Sequence, residues 1–591
     1  MAQDTAPTPR LPIPELDDTC QRYLTQLRPL LDDGQFARTE AIVRDFASHE
    51  GPALQAALQA FDATMAPQGK SWLIDAWLES YLAIRTPLPL SSNIGVAVPM
   101  HGHDLADWVA VVAAVHADHH HQRIEAPRAP TGAPVSMTQW AILQGAARIP
   151  QPGIDHFQVA PTPGRHVGVL HHGFYYRLAV LDEQGEALPA TALRPALAAI
   201  RAERARNPYP LAVPCYLGSD RAAALLAQLH AQHPDNARLL ACIHDDLFHV
   251  CLRDEVADAD SDLAAASFLR AQDVWCYKPV SLIHNAATGR LHLHCEHTME
   301  DGATLLGIMT RAATRLKAQA SPASLPAARP ETITGHDAGN PAQAGSPDGT
   351  DEPVWRQGWH LDDSLQQAWS GWQADYARQA DARHLHSLRI PFDPQRIPAG
   401  ISQDALMQLV LQYAQLATWG AVRNTYEAVD ASHFVQGRTE CVRPVSLPSV
   451  DFVRRLLAGT ADAGTLKAAL AEHKARIKAC KQGLGPNRHL LGLQLMARQQ
   501  DMAMPALFSD EGYRVFTTDV LSTSTLGRGD VLLQMGFAPT SEGGLGVNYT
   551  LDEGCWLYTV THVGDRPPHT ERFMQALAEG AQRLLDLLEE V

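Results

Sequence analysis

Between residues 291 and 295 polar and apolar side chains alternate, Leu-His-Leu-His-Cys, which is the period of a half-buried strand. The alternation stops at His297, and Asp301-Gly302 supplies a turn. Together with 274–285, turned at 286–289, this stretch predicts a strand pair. A hairpin is expected from 167–170 and 174–181 around His171-His-Gly173. Further strands are expected at 386–392, 515–522, 531–537, 546–550 and 556–563, and 239–252 reads as strand or mixed. Apolar positions recurring every three to four residues predict helices at 16–31, 36–46, 71–84, 103–121, 195–206, 222–232 and 303–318. In the second half they fall at 359–385, 402–424, 453–457, 463–482, from about 487, and 571–588. Trp72, Trp77 and Tyr81 are spaced for a buried face. Pro195 suits a first helical turn, Ser402 and Asn487 suit caps, and the two prolines of 85–96 imply extended chain.

Composition narrows the class. At 591 residues with 46% hydrophobic and 19% charged positions, the chain can build two to four domains with sizeable cores. Residues 321–352 are Pro, Ala, Gly, Ser, Asp and Thr with almost nothing to bury, which reads as a linker or long surface loop. The boundaries drawn are 1–330, which carries His297, then the linker 331–352, then 353–591. A net charge of −17 argues against nucleic-acid binding and adhesion to anionic membranes. There is no apolar run long enough to span a membrane. Nine cysteines without a CxxC pair suggest free thiols in a reducing compartment. A cytoplasmic monomer is expected.

A histidine at a strand end is held rigidly and can face a cleft, as a general base must. Asp301, four residues on, can orient the loop or the imidazole. His-x-x-x-Asp-Gly recurs in acyltransferases that deprotonate a substrate hydroxyl; the other reading is a hairpin histidine. His116, His119, His120 and His121, and separately His292, His294 and Glu296, contain metal-ligand types, but a solvated helix end and a strand face explain them, and no metal is expected.

Three more stretches accompany Glu296-His297: Asn424-Thr-Tyr426-Glu with Gly437-Arg-Thr439-Glu440, Asn487-Arg488-His-Leu-Leu-Gly-Leu493, and Leu521-Ser522-Thr523-Ser524. In order and spacing these resemble the carnitine/choline acyltransferase family, and the opening Leu11-Pro-Ile-Pro-Glu-Leu does too. The resemblance covers nearly the whole chain. It implies an α/β (α+β) fold of two chloramphenicol-acetyltransferase-like domains, with mixed sheets flanked by helices and an active-site tunnel at their interface. It also implies short-chain O-acyl transfer between CoA and carnitine, with acyl-CoA as co-substrate and no tightly bound cofactor. His297 would be the base, with Asp301 beside it and Ser524 donating to the oxyanion. Arg488, Tyr426, Thr439 and Ser522 would meet carnitine; retaining both the arginine and the threonine favours carnitine over choline.

The chain also departs from the family. The lysine pair that meets the CoA 3′-phosphate is missing, leaving Arg396, although Asp404 matches a position near the pantetheine arm. Lys474, Lys478 and Lys481 are substitute cations. Met535 stands where an aromatic is expected beside the ammonium. Leu533, or Leu532 after a one-residue slip, takes the position that gates the acyl pocket, and its bulk implies acetyl to butyryl donors. Another alcohol, a non-CoA donor or a non-catalytic binding protein remain as alternatives. No Gly-x-Ser-x-Gly elbow suggests a serine hydrolase.

Overall fold

The structure, a computed structural model, describes residues 8–129, 132–269, 274–319, 355–564 and 567–589. The expected linker at 331–352 lies outside them. The alternating stretch forms the strand Arg290–Cys295, paired antiparallel with Val280–Asn285 on one side and Ile94–Val98 on the other. It lies within an eight-stranded mixed sheet in the order Gln534–Phe537, Ile94–Val98, Arg290–Cys295, Val280–Asn285, His249–Arg253, His166–His171, Phe174–Ala179 and Trp355–Gln357. Helices cover both faces. Leu105–His120, Ala190–Ala202 and Gly302–Gln319 pack on one; Ser219–Gln232, Pro234–Asp245, Ala259–Phe268 and Asp363–Asp381 pack on the other. Polar residues of the alternating strand are therefore buried as well. His294 is held between the Asn93 amide at 2.9 Å and the Ala266 carbonyl at 2.9 Å. Burial lowers both His292 and His294 to about 4.

A second, six-stranded sheet runs Arg383–Pro391, Cys555–Val563, Leu545–Asp552, Leu521–Ser524, Thr425–Asp430 and Thr439–Val442. It packs against Gln403–Trp419, Leu447–Ala458 and Pro567–Glu589. A third core joins the N-terminal helices Leu16–Leu27, Asp33–Ser48 and Glu50–Met65 to Pro486–Gln499 and Glu511–Thr517.

Both edges of the first sheet come from residues C-terminal to 331–352. Trp355–Gln357 closes one edge against Phe174–Ala179. Gln534–Phe537 closes the other, with Met535 opposite Val96. The linker boundary therefore does not separate one core from another.

Local expectations fail where a neighbouring signal outweighs the one used. The helix expected at 195–206 is Ala190–Ala202, because the good helix formers before Pro195 extend it backwards and leave the proline inside. Asn487 is not a cap: Pro486 takes the first helical position and Gly485 precedes it. Residues 515–522 divide into the helix Glu511–Thr517 and the strand Leu521–Ser524. The proline-bearing stretch at 85–96 holds a 3-10 turn at Leu88–Leu90 before the strand Ile94–Val98, since that turn tolerates Pro89. All nine cysteines are buried. No helix among the described residues is long and apolar enough to cross a membrane.

Candidate active site

A cavity of about 940 Å³ is lined by the first sheet, the second sheet and the N-terminal helices together. His297 lines it just past the end of Arg290–Cys295. Its Nδ1 lies 2.5 Å from the Glu300 carbonyl oxygen. A carbonyl can only accept, so Nδ1 carries the hydrogen and Nε2 keeps the lone pair. The loop thereby fixes the tautomer a general base needs. Tyr81 meets the imidazole edge-on, with ring centres 5.5 Å apart.

Asp301 lies 4.0 Å from His297 Nδ1, too far for a hydrogen bond. It is instead gripped by Arg438, whose Nε and Nη2 donate to the two carboxylate oxygens at 2.7 and 3.1 Å. Gln139 donates to it at 3.0 Å. Arg438 Nη1 also donates to the Thr298 carbonyl at 2.6 Å. Burial would raise the Asp301 carboxyl, but the adjacent guanidinium outweighs it and holds the group below the usual carboxylate range. Asp301 thus contacts Arg438 and Gln139 and not the imidazole. Arg438 spans the two halves to make this contact. A Cβ on Gly437 would lie 1.9 Å from the Ala431 carbonyl oxygen, so only glycine lets the chain deliver Arg438 here.

The same cavity collects the residues expected to hold an alcohol. Arg488, in the first turn of Pro486–Gln499, donates from Nε to the Thr439 carbonyl at 2.8 Å. Its Nη2 sits 3.4 Å from both the Tyr426 hydroxyl and Thr439 Oγ1. Burial raises the Tyr426 phenol, which stays a neutral donor. Three donors thus converge loosely on one point, and Arg488 forms no ion pair among the described residues; this arrangement suits a ligand carboxylate. Trp77 stacks on the guanidinium with 4.6 Å between the Arg488 Cζ and the ring centre. The expected core face of 71–84 is therefore partly cavity wall.

Alternation along Leu521–Ser524 turns Ser522 and Ser524 to one face, and both line the cavity. Met535 and Phe537 line it from the crossing strand. Phe537, two residues after the position where an aromatic was expected, places a ring on the cavity wall. Leu533 does not line the cavity: its backbone bonds to Ala97 at 2.8 Å and its side chain packs by Gly529. The strand's bulky residues at the cavity are Met535 and Phe537.

The two expected CoA contacts lie elsewhere. Arg396 donates to Asp586 at 2.6 Å and also pairs with Glu589. Asp404 accepts from the Tyr549 hydroxyl at 2.6 Å and lies 3.1 Å from His473 Nε2. Arg438, Phe537, Trp77 and Tyr81 were missed as site residues. Arg438 sits inside a quoted motif, and its charge between Gly437 and Thr439 was the available signal.

A profile described as Choline/Carnitine o-acyltransferase matches residues 11–579. The chain belongs to the choline/carnitine O-acyltransferase family. It is an acyltransferase similar to Carnitine O-palmitoyltransferase 2, mitochondrial, of Macaca fascicularis, 27% identical over 98% of this chain and 92% of that one. A putative mitochondrial carnitine O-acetyltransferase of Saccharomyces cerevisiae is 26% identical over 92% of this chain and 88% of its own length. The names of these relatives place them in mitochondria, which overturns the expectation of a cytoplasmic location. The wax ester synthase/diacylglycerol acyltransferase from Marinobacter aquaeolei VT8 aligns over 87% of this chain and 98% of its own. At 11% identity and a TM-score of 0.33, that likeness carries no weight.

Proposed function

We propose that this acyltransferase moves a short acyl group between CoA and the hydroxyl of carnitine, with His297 as general base. The observation that carries this is the tautomer: Nδ1 donates to the Glu300 carbonyl, leaving Nε2 basic in a cavity shared with Arg488 and Ser524. Nε2 takes the hydroxyl proton as the alcohol oxygen attacks the thioester carbonyl. Ser524 donates to the developing oxyanion. The tetrahedral intermediate collapses, the C–S bond breaks, and the imidazolium returns the proton to the departing thiolate. No enzyme nucleophile is acylated. The carnitine carboxylate meets Arg488, Tyr426 and Thr439, and Phe537 offers a ring to the ammonium.

The named relatives divide between palmitoyl and acetyl donors, so chain length must be argued from this pocket. Met535 fills its wall, which supports a short acyl group. Following free thiol with acetyl-CoA and carnitine tests the reaction. His297→Ala should lower kcat by about 10²–10⁴-fold with an unchanged circular dichroism spectrum. Near-normal turnover, or a trapped acyl-enzyme, would refute the mechanism.

A second reading keeps the chemistry and changes the donor. The ion pairs of Arg396 with Asp586 and Glu589 favour a thioester without a 3′-phosphate. Equal kinetics with acetyl-CoA and its 3′-dephospho form would support it.

A further inference from the structure

We propose that His233, Asp235 and His360, away from the cavity, form a surface site for one divalent transition-metal ion. His233 caps the helix Pro234–Asp245, its Nδ1 accepting the Asp235 N–H at 3.1 Å. That nitrogen therefore carries a lone pair, the unprotonated form a metal requires, and an ion would take it over from the Asp235 N–H. His360 arrives from the other half of the chain, just before Asp363–Asp381. Its N–H donates to Asn236 Oδ1 at 2.8 Å, and the Asn236 amide donates back to its carbonyl at 2.9 Å. Asn236 is fully buried, so the His360 backbone is fixed against the helix before any ion arrives.

The separations decide the reading. Asp235 Oδ2 lies 3.6 Å from His233 Nδ1 and 3.4 Å from His360 Nε2. Both are longer than ordinary hydrogen bonds. A tetrahedral ion with metal–ligand bonds of about 2.1 Å spaces its ligands about 3.4 Å apart. One ligand atom from each residue lies within 4.8 Å of the other two. The imidazoles stack, 3.9 Å between centres and 17° between planes, so the two rings lie side by side and one must turn for both in-plane lone pairs to meet the ion. Arg238 approaches the other carboxylate oxygen, at 3.5 Å from Oδ1, which leaves Oδ2 to the histidines. Two imidazoles and one carboxylate suit zinc, cobalt, nickel or copper rather than magnesium or calcium. All three side chains are partly exposed, so water can supply the fourth ligand. The bound ion would staple the opening of the C-terminal half to a helix of the N-terminal half.

The test titrates chelator-treated, full-length protein with Co²⁺. A saturable, one-equivalent rise in the visible absorption of tetrahedral cobalt, displaced by Zn²⁺, is expected, together with a higher Tm in Zn²⁺. His233→Ala and His360→Ala should each weaken binding roughly tenfold or more and abolish the Tm rise; His360→Ala should keep the metal-free Tm of the parent, whereas His233→Ala also loses a helix cap and is compared with its own metal-free Tm. Parent-like cobalt binding in both variants, or no saturable binding in the parent, would overturn the site. So would loss of the signal in His172→Ala, which removes a member of a separate cluster, His171, His172 and Asp254, whose His171 is buried.

Discussion

Arg488 is placed for a ligand: a cation under Trp77, with Tyr426 and Thr439 beside it and no ion pair among the described residues. Arg488→Ala should raise the carnitine KM by the equivalent of about 2–5 kcal/mol and leave weak turnover of choline, which lacks the carboxylate, nearly unchanged. Equal losses for the two alcohols would assign Arg488 to structure alone. Asp301 makes a prediction about acid. Its folded-state pKa is depressed by Arg438, so its contribution to stability is present above the unfolded value of about 4 and is lost as pH falls through the folded value. Asp301→Asn should be less stable than the parent at pH 7 and lose less stability on acidification below pH 4. Urea midpoints at pH 7 and pH 3 measure both. A parent and variant with parallel pH profiles would show that the Arg438 latch does not hold the loop.

In the proposed reaction the crossing strand Gln534–Phe537 sets the acyl end of the cavity. Met535 fills space that glycine would leave open, and a strand bonded into a sheet cannot shift aside cheaply. Met535→Gly should therefore raise the octanoyl-to-acetyl ratio of kcat/KM at least several-fold, whereas Leu533→Gly should not, because Leu533 lies off the cavity. The contrast shows which parts of the molecule the sequence made legible. Alternation located the His297 strand, and Arg488, Tyr426, Thr439, Ser522 and Ser524 do line one cavity. Leu533 was chosen by counting along a loop that lacks one residue, and counting cannot see where the chain leaves the cavity wall. Arg438 was hidden for a different reason: its partners Asp301 and Thr298 are more than a hundred residues away. The strands Thr425–Asp430 and Thr439–Val442 were hidden as well, being short and set by their neighbours in the sheet.

At the scale of the whole molecule, charge and connectivity matter most. With Arg396 tied to Asp586 and Glu589, Lys474 and Lys478 are candidate cations for a 3′-phosphate, exposed on the helix Ala463–Lys481 whose His473 contacts Asp404. Reversing both to glutamate should raise the acetyl-CoA KM several-fold at low salt and leave the 3′-dephospho donor unaffected. Unchanged kinetics would favour a donor without that phosphate. The three cores predict that residues 355–591 expressed alone do not fold, because Leu490, Leu493 and Phe516 lose the N-terminal helices they pack against. A cooperative melt of that fragment would contradict this. The crossing strand also has a consequence for inheritance. A recombination in the linker would keep His297 with one parent, yet Met535 and Phe537, which wall the pocket beside it, would travel with the other. Chain-length preference should thus descend with the C-terminal half, even though the strand that carries it completes the N-terminal sheet, and a chimera would function only where the incoming strand still matches Ile94–Val98 in register.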